Sequence, residues 1–273
     1  MTKMVARRMS GRNVIVTGAS RGIGAALARR LAAQGANLFL VARTLDQHDR
    51  LAGSLRETVA KCVAHGVVAE PYVADLTDPE SRAGIVPAAL EAFGGRVDVL
   101  VNNAAAAMYG PLYDYPIKRA RLSFEVNVIA PLELTQQVLP GMLERGEGWV
   151  VNVSSATARH LEGPPYGSTG RVMGVYGASK AALNRLTNAL AAEVHGRGVR
   201  VNSIEPRAAV MSEGAEAVVG ATVRADQIEP MEAMIEATLA LCDCGPDDTG
   251  GIHVSLYLLA ERGIAVKSLD GKG

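Results

Sequence analysis

From end to end the chain alternates short apolar runs with longer stretches whose apolar residues recur at helical spacing, and this rhythm constrains the fold more than any single motif. Seven runs are expected as strands: Asn13–Thr17, Asn37–Ala42, Val67–Val73, Val97–Asn102, Trp149–Ser154, Val199–Ile204 and Ile252–Leu256. Between them the spacing predicts helices over Gly22–Gln34, Asp46–His65, Pro79–Phe93, Ile117–Arg145, Gly174–His195 and Glu229–Leu241. Strands separated by helices pair in parallel, because each crossover returns the chain to the same end of the sheet. No internal repeat, charge block or long Ser/Pro linker interrupts the 273 residues. The expectation is a single α/β domain: a doubly wound, parallel, seven-stranded sheet with helices on both faces. Only Ala156–Val172, rich in Gly and Pro, and Pro206–Ala225 lack a clear period.

Composition narrows the partners. Lys plus Arg and Asp plus Glu number 28 each, so no excess of positive charge is left to hold a nucleic acid backbone. Residues are 48% hydrophobic but only 4% aromatic, the Ala, Val and Leu content that helices packed on buried parallel strands require. Cys62, Cys242 and Cys244 are odd in number and too few for a disulfide framework, and they read as free thiols. No second Cys or His pair complements Cys242 and Cys244, so no metal is expected. No apolar run approaches the roughly 20 residues that span a bilayer, and no apolar stretch follows Lys3, Arg7 and Arg8, so no membrane contact and a cytoplasmic location are expected.

Ligands of such sheets bind beyond the carboxyl ends of the strands, where the strand order reverses. There the first strand enters Thr17-Gly18-Ala19-Ser20-Arg21-Gly22-Ile23-Gly24 and then an Ala/Leu-rich helix. Gly18 permits a tight turn, Gly22 lets the backbone approach a pyrophosphate, and Gly24 lets helix and strand pack closely, while the helix N-terminus offers unpaired N–H groups to the anion. Glycines also serve ordinary strand-to-helix corners; the position of this turn at the head of an alternating chain favours a Rossmann-type dinucleotide site.

Tyr176-Gly177-Ala178-Ser179-Lys180 opens a later helix, and the spacing of four sets Tyr176 and Lys180 one turn apart on one face. A neighbouring ammonium favours phenolate and would lower the Tyr pKa from about 10 toward values useful in acid/base work. The plainer alternative is a buried Tyr beside a snorkelling Lys. The fifth strand ends in Val151-Asn152-Val153-Ser154-Ser155, and Asn127 stands among apolar neighbours in a predicted helix, serving either a buried hydrogen bond or a function.

Together, TGxxxGxG and the Asn, Ser, Tyr and Lys set resemble the short-chain dehydrogenase/reductase family, over roughly Arg12 to Leu258. The resemblance implies that Tyr176 is the acid/base and that Lys180 lowers its pKa and holds the nicotinamide ribose hydroxyls. Ser155, preferred to Ser154 as the last strand residue of the family pattern, would bond the reacting oxygen, and Asn127 would help hold a water in the proton relay to Lys180. The cofactor would lie on Gly18, Ser20, Arg21, Gly22, Ile23 and Gly24, with Asp75 and Leu76 at the adenine. Asn102, Asn103 and Ala104 would line it, and Pro206 would stand beside it. Arg21 lies in the glycine turn and Arg43 follows the second strand, where an NAD enzyme usually offers an acidic group, and a guanidinium fork suits a 2′-phosphate. NADP(H) is therefore expected, with NAD(H) as the alternative if both arginines are only solvated surface charges. The implied function is hydride transfer between the nicotinamide and a carbonyl or secondary alcohol of a small apolar substrate, in a homo-oligomer, tetramer or dimer, built through the helices that hold Asn127 and Tyr176. The other reading is a catalytically silent nucleotide sensor or scaffold.

Three departures from the family pattern bear on the site. Ala105 replaces a Gly, Glu205-Pro206-Arg207 replaces the usual Pro-Gly, and 20 residues separate Ser155 from Tyr176, more than the family spacing needs. Ala156–Val172 and Pro206–Ala225 are expected as a mobile lid that sets substrate choice. Within it Arg207 would pair with Glu205 or Glu213 in preference to a substrate anion. Of the five histidines only His160 falls near the substrate path, and no catalytic role is assigned to it. Met108, Tyr109, Leu112, Tyr113 and Met211 form either an apolar pocket or local packing.

Overall fold

The computed structural model describes residues 8–46, 52–166, 171–213, 216 and 225–272. Seven strands, β1 (Asn13–Thr17), β2 (Asn37–Ala42), β3 (Ala69–Val73), β4 (Val99–Asn102), β5 (Gly148–Val153), β6 (Val199–Glu205) and β7 (Ile252–Val254), form one sheet in the order β3-β2-β1-β4-β5-β6-β7. Every neighbouring pair is parallel. The fold is therefore the doubly wound, Rossmann-type α/β sheet expected.

Side chains alternate faces along a strand, so each central strand feeds two cores. Val14, Val16, Leu38 and Leu40 pack toward α1 (Gly22–Ala33) on one face; Ile15, Phe39, Val41 and Leu100 join Ala130, Leu134 and Val138 on the other. The chain winds outward from β1 in both directions, and β1 bonds β2 on one side and β4 on the other. Their carboxyl ends diverge into opposite crossovers at that point, leaving the crevice in which such sheets bind ligands.

Several boundaries differ from expectation for local reasons. The second helix, expected over Asp46–His65, is α2 (Leu55–Val63); Ser54 caps it by accepting from the Glu57 N–H at 3.1 Å, and residues 47–51 of the expected span lie outside the described residues. The third divides at Gly84 into α3 (Pro79–Ala83) and α4 (Ile85–Ala92), where a Cβ would stand 2.6 Å from the Tyr72 hydroxyl. The fourth runs as α5 (Ile117–Phe124), a π turn (Glu125–Ile129) and α6 (Ala130–Arg145). Pro131, with no N–H to donate, stands just beyond that break, in the first turn of α6. The Tyr176 helix is α7 (Gly174–Glu193), followed by α8 (Met231–Leu241) and α9 (Ser255–Glu261). The last of these ends β7 at Val254, short of the expected Leu256. No helix among the described residues is long and apolar enough to cross a membrane.

Candidate active site

The glycine turn is built from backbone crowding. Gly18 and Gly22 hold φ of +68° and +56°, which L side chains rarely adopt, and a Cβ on Gly24 would stand 2.3 Å from the Gly18 carbonyl oxygen. Buried Thr17 ties this turn to the one after β4: its Oγ1 accepts from the N–H groups of Asn103 and Ala104, each at 3.1 Å. Asn103 Nδ2 donates to the carbonyls of Thr17 at 2.9 Å and Gly18 at 3.2 Å. The Asn103 side chain thus braces the glycine turn. Asn102 is buried one layer deeper, donating to Asn152 Oδ1 at 2.9 Å.

The N–H of Gly22 already holds an anionic oxygen, Glu213 Oε2, at 3.0 Å. Ser20 is buried, whereas Arg21, Gly22 and Ile23 are half-buried at the start of α1. The two arginines behave differently. Arg21 spends its guanidinium on loop carbonyls, Nε to Ala52 at 3.0 Å and Nη2 to Gly53 at 3.1 Å. Arg43 is exposed and acts electrostatically on Asp75. Desolvation opposes ionisation of Asp75, but two hydrogen bonds from Thr77, both at 2.9 Å, and the Arg43 charge outweigh it, holding the carboxyl below its ordinary pKa. Leu76 is buried, its carbonyl accepting from Arg82 Nη1 at 2.6 Å.

On the neighbouring carboxyl ends the remaining members meet. β5 stops at Val153, two residues before Ser155, so Ser155 is not the last strand residue; it caps the short turn Ala156–Ala158 instead. The Ser155 hydroxyl accepts from Thr157 N at 3.2 Å and Thr157 Oγ1 at 2.9 Å, and it acts on the Tyr176 phenol to favour phenolate. Lys180 is buried, donates to the Val153 carbonyl at 2.6 Å, and places Nζ 5.9 Å from the Tyr176 ring centroid. Burial brings its pKa down to about 8. The Tyr176 pKa moves opposite to the sequence expectation: desolvation and the Tyr109 phenol raise it, outweighing the Ser155 hydrogen bond that lowers it. In the protein itself Tyr176 is a protonated phenol.

Asn127 is fully buried in the π turn. Its Oδ1 accepts from Ala106 N at 2.8 Å, and Nδ2 donates to Ala106 O at 3.2 Å and Ser179 Oγ at 2.9 Å. Both amide protons are therefore spent on structure. Pro131, four positions on, has no N–H to offer the Asn127 main-chain carbonyl.

The surrounding loops correct one expectation. Arg207 pairs with neither Glu205 nor Glu213: Nη2 donates to the Asp226 carbonyl at 3.3 Å, and its main-chain N–H to Glu229 Oε2 at 2.8 Å. Glu205 is instead held by Arg159, Nε to Oε1 at 2.6 Å, and the same guanidinium donates to the carbonyls of Pro206 and Arg207. Arg159 therefore joins the loops after β5 and β6, a contact that no spacing in the sequence signals. Residues 167–170, 214–215 and 217–224 of the expected lid lie outside the described residues. Tyr109 packs edge-on against Tyr176 at 5.7 Å between ring centroids, and Leu112 lies over Gly174, whereas Tyr113 and His160 are exposed.

Residues 12–219 match the family model described as short chain dehydrogenase. The chain is 28% identical over 260 residues to hydroxysteroid dehydrogenase-like protein 2 of Mus musculus, covering 94% of this chain but 51% of that protein. It therefore spans about half the length of that curated relative. It is 35% identical over 199 residues to oxidoreductase UcpA of Escherichia coli K12, covering 73% of this chain and 70% of that one. Its structure is similar to that of a short chain dehydrogenase from Burkholderia cenocepacia in complex with NADP, at a TM-score of 0.74 and 30% identity over 90% of this chain and 97% of that one. With its parallel sheet, glycine turn and family match, the chain belongs to the short-chain dehydrogenase family.

Proposed function

We propose that the protein is an NADP(H)-dependent oxidoreductase acting on a carbonyl or secondary alcohol of a small apolar substrate, with Tyr176 as acid/base. The observation that carries this reading is the meeting of Ser155, Tyr176 and buried Lys180 at the carboxyl ends of the strands beside the glycine turn. The turn suits a dinucleotide, because the Gly22 N–H binds a carboxylate oxygen and Gly18 and Gly24 leave no room for side chains. Gly18, Ser20, Gly22, Ile23 and Gly24 would hold the pyrophosphate end, Asp75 and Leu76 the adenine, Ala104 and Pro206 the walls, and Asn103 the turn itself. Exposed Arg43 supports the preference for a 2′-phosphate; Arg21, engaged with carbonyls, supports it less.

When bound, the nicotinamide supplies or accepts the hydride at the substrate carbon. Tyr176, protonated by desolvation, gives its proton to the reacting oxygen in reduction, and Ser155 donates a hydrogen bond to the same oxygen. Lys180, charged at neutral pH, would favour the phenolate left behind and would hold ribose hydroxyls of the cofactor. Asn127 fixes α7 to the loop after β4, and its main-chain carbonyl, which Pro131 cannot bond from four residues on, would be the group that holds a relay water. Tyr109 and Leu112 support an apolar substrate wall. Exposed Ile117, Leu122, Phe124 and Ile129 support a homo-oligomer through that helical layer. A panel of carbonyls with NADPH and NADH, and of alcohols with the oxidised forms, followed by cofactor absorbance, tests the reading: kcat/KM is expected to be higher with NADPH. No turnover on any substrate favours the silent sensor, and equal or better use of NADH removes the NADP(H) assignment.

A further inference from the structure

We infer that Thr157 is a positioning residue that fixes the Ser155 hydroxyl as a donor, its one proton left for the reacting oxygen. The inference rests on the roles proposed above for Ser155 and Tyr176. A serine hydroxyl has one proton and two acceptor sites, and its rotation is otherwise free. Here both acceptor sites are filled from one residue: the Thr157 main-chain N–H at 3.2 Å and its Oγ1 at 2.9 Å. The one remaining direction is that of the proton, which is turned away from Thr157, and the hydroxyl acts on the Tyr176 phenol in the sense that favours phenolate. A reacting carbonyl oxygen gaining negative charge needs that polarity, a donor rather than an acceptor.

The geometry around Thr157 keeps the arrangement from relaxing. Its β-branched side chain restricts χ1. Its carbonyl lies so near α7 that a Cβ on Gly177, the residue after Tyr176, would stand 2.4 Å from the Thr157 oxygen. On the other side Arg159, two residues on, anchors the turn to Glu205 and to the carbonyls of Pro206 and Arg207. The turn that presents Ser155 is thus held between the Tyr176 helix and the end of β6, and Thr157 transmits that placement to the hydroxyl.

Thr157→Val keeps the shape and removes the hydroxyl, whereas Thr157→Ser restores it. Two readouts separate this inference from the functional reading on which it rests. The first is the ¹³C resonance of the Tyr176 phenol carbon, assigned with Tyr176→Phe, which needs no turnover. It is expected to move in Thr157→Val toward its position in Ser155→Ala and to stay near wild type in Thr157→Ser. The second is steady-state kinetics. Thr157→Val is expected to lower kcat about fivefold to tenfold, the worth of one neutral hydrogen bond, with KM and cofactor Kd nearly unchanged and no further loss in a Ser155→Ala background. An unmoved resonance, or an equal loss in Thr157→Ser, overturns the positioning role even in an active enzyme. A resonance that moves as expected in a protein without turnover upholds the positioning role and removes the proposed reaction instead.

Discussion

Replacing Lys180 by Met makes the burial of the ammonium measurable without reference to catalysis. Burial brings the Lys180 pKa from 10.5 to about 8, with desolvation as the cause. The native state therefore releases this proton at lower pH than the unfolded chain does. Between those two values the unfolded chain binds more protons, so wild-type stability must rise with pH relative to a variant with no titrating group there. Integrated from about pH 7 to pH 9.5, this amounts to about 2 kcal/mol. Met fills nearly the same volume, and the donor lost to the Val153 carbonyl at 2.6 Å is a roughly constant cost across the window. Urea unfolding of both proteins at each pH, followed by circular dichroism, isolates the effect, since the other titrating groups largely cancel in the difference. The stability of wild type minus that of Lys180→Met is expected to climb by about 2 kcal/mol across that range. A flat or falling difference would refute the desolvation argument and the placement of Lys180 with it.

Glu213→Ala frees the Gly22 N–H and removes a negative charge from the pyrophosphate cradle, so NADPH is expected to bind about threefold to tenfold tighter in equilibrium fluorescence titration. Weaker binding would show that this carboxylate works with the cofactor instead of competing with it. Arg43→Ala is expected to erode the preference for NADPH over NADH by about tenfold in kcat/KM, whereas Arg21→Ala, which loses contacts to the carbonyls of Ala52 and Gly53, is expected to lower stability more than selectivity. Unfolding curves beside the kinetics distinguish the two, and interchangeable effects would contradict their separate placement.

Those placements also mark where sequence reasoning ran out. Strand and helix order was legible because two-sided burial leaves continuous apolar runs, as in Val14, Ile15 and Val16, which face alternate cores. Tyr176 and Lys180 were legible because helical spacing fixes their relation. Side-chain destinations across loops were not. Arg21 and Arg43 look alike in the sequence, yet only contact with the loop at Ala52 and Gly53 decides that the first is occupied. Arg159 follows β5 and Glu205 ends β6, so their pairing follows from how the loop after β5 packs on the neighbouring strand end. The direction of the Tyr176 pKa depended on desolvation and the Tyr109 phenol outweighing the Ser155 hydrogen bond, whereas spacing alone shows only the ammonium one turn away. The π turn at Asn127 had one visible signal, Pro131 four residues later.

The role of Tyr176 is tested most directly by Tyr176→Phe, which removes one oxygen and leaves the ring packed against Tyr109. With a carbonyl substrate that wild type reduces, NADPH oxidation under single-turnover conditions is expected to fall to less than about a hundredth, while NADPH affinity by fluorescence titration stays within about twofold. A variant that binds NADPH normally and still turns over at more than about a hundredth of the wild-type rate would contradict the assignment of Tyr176 as the acid/base.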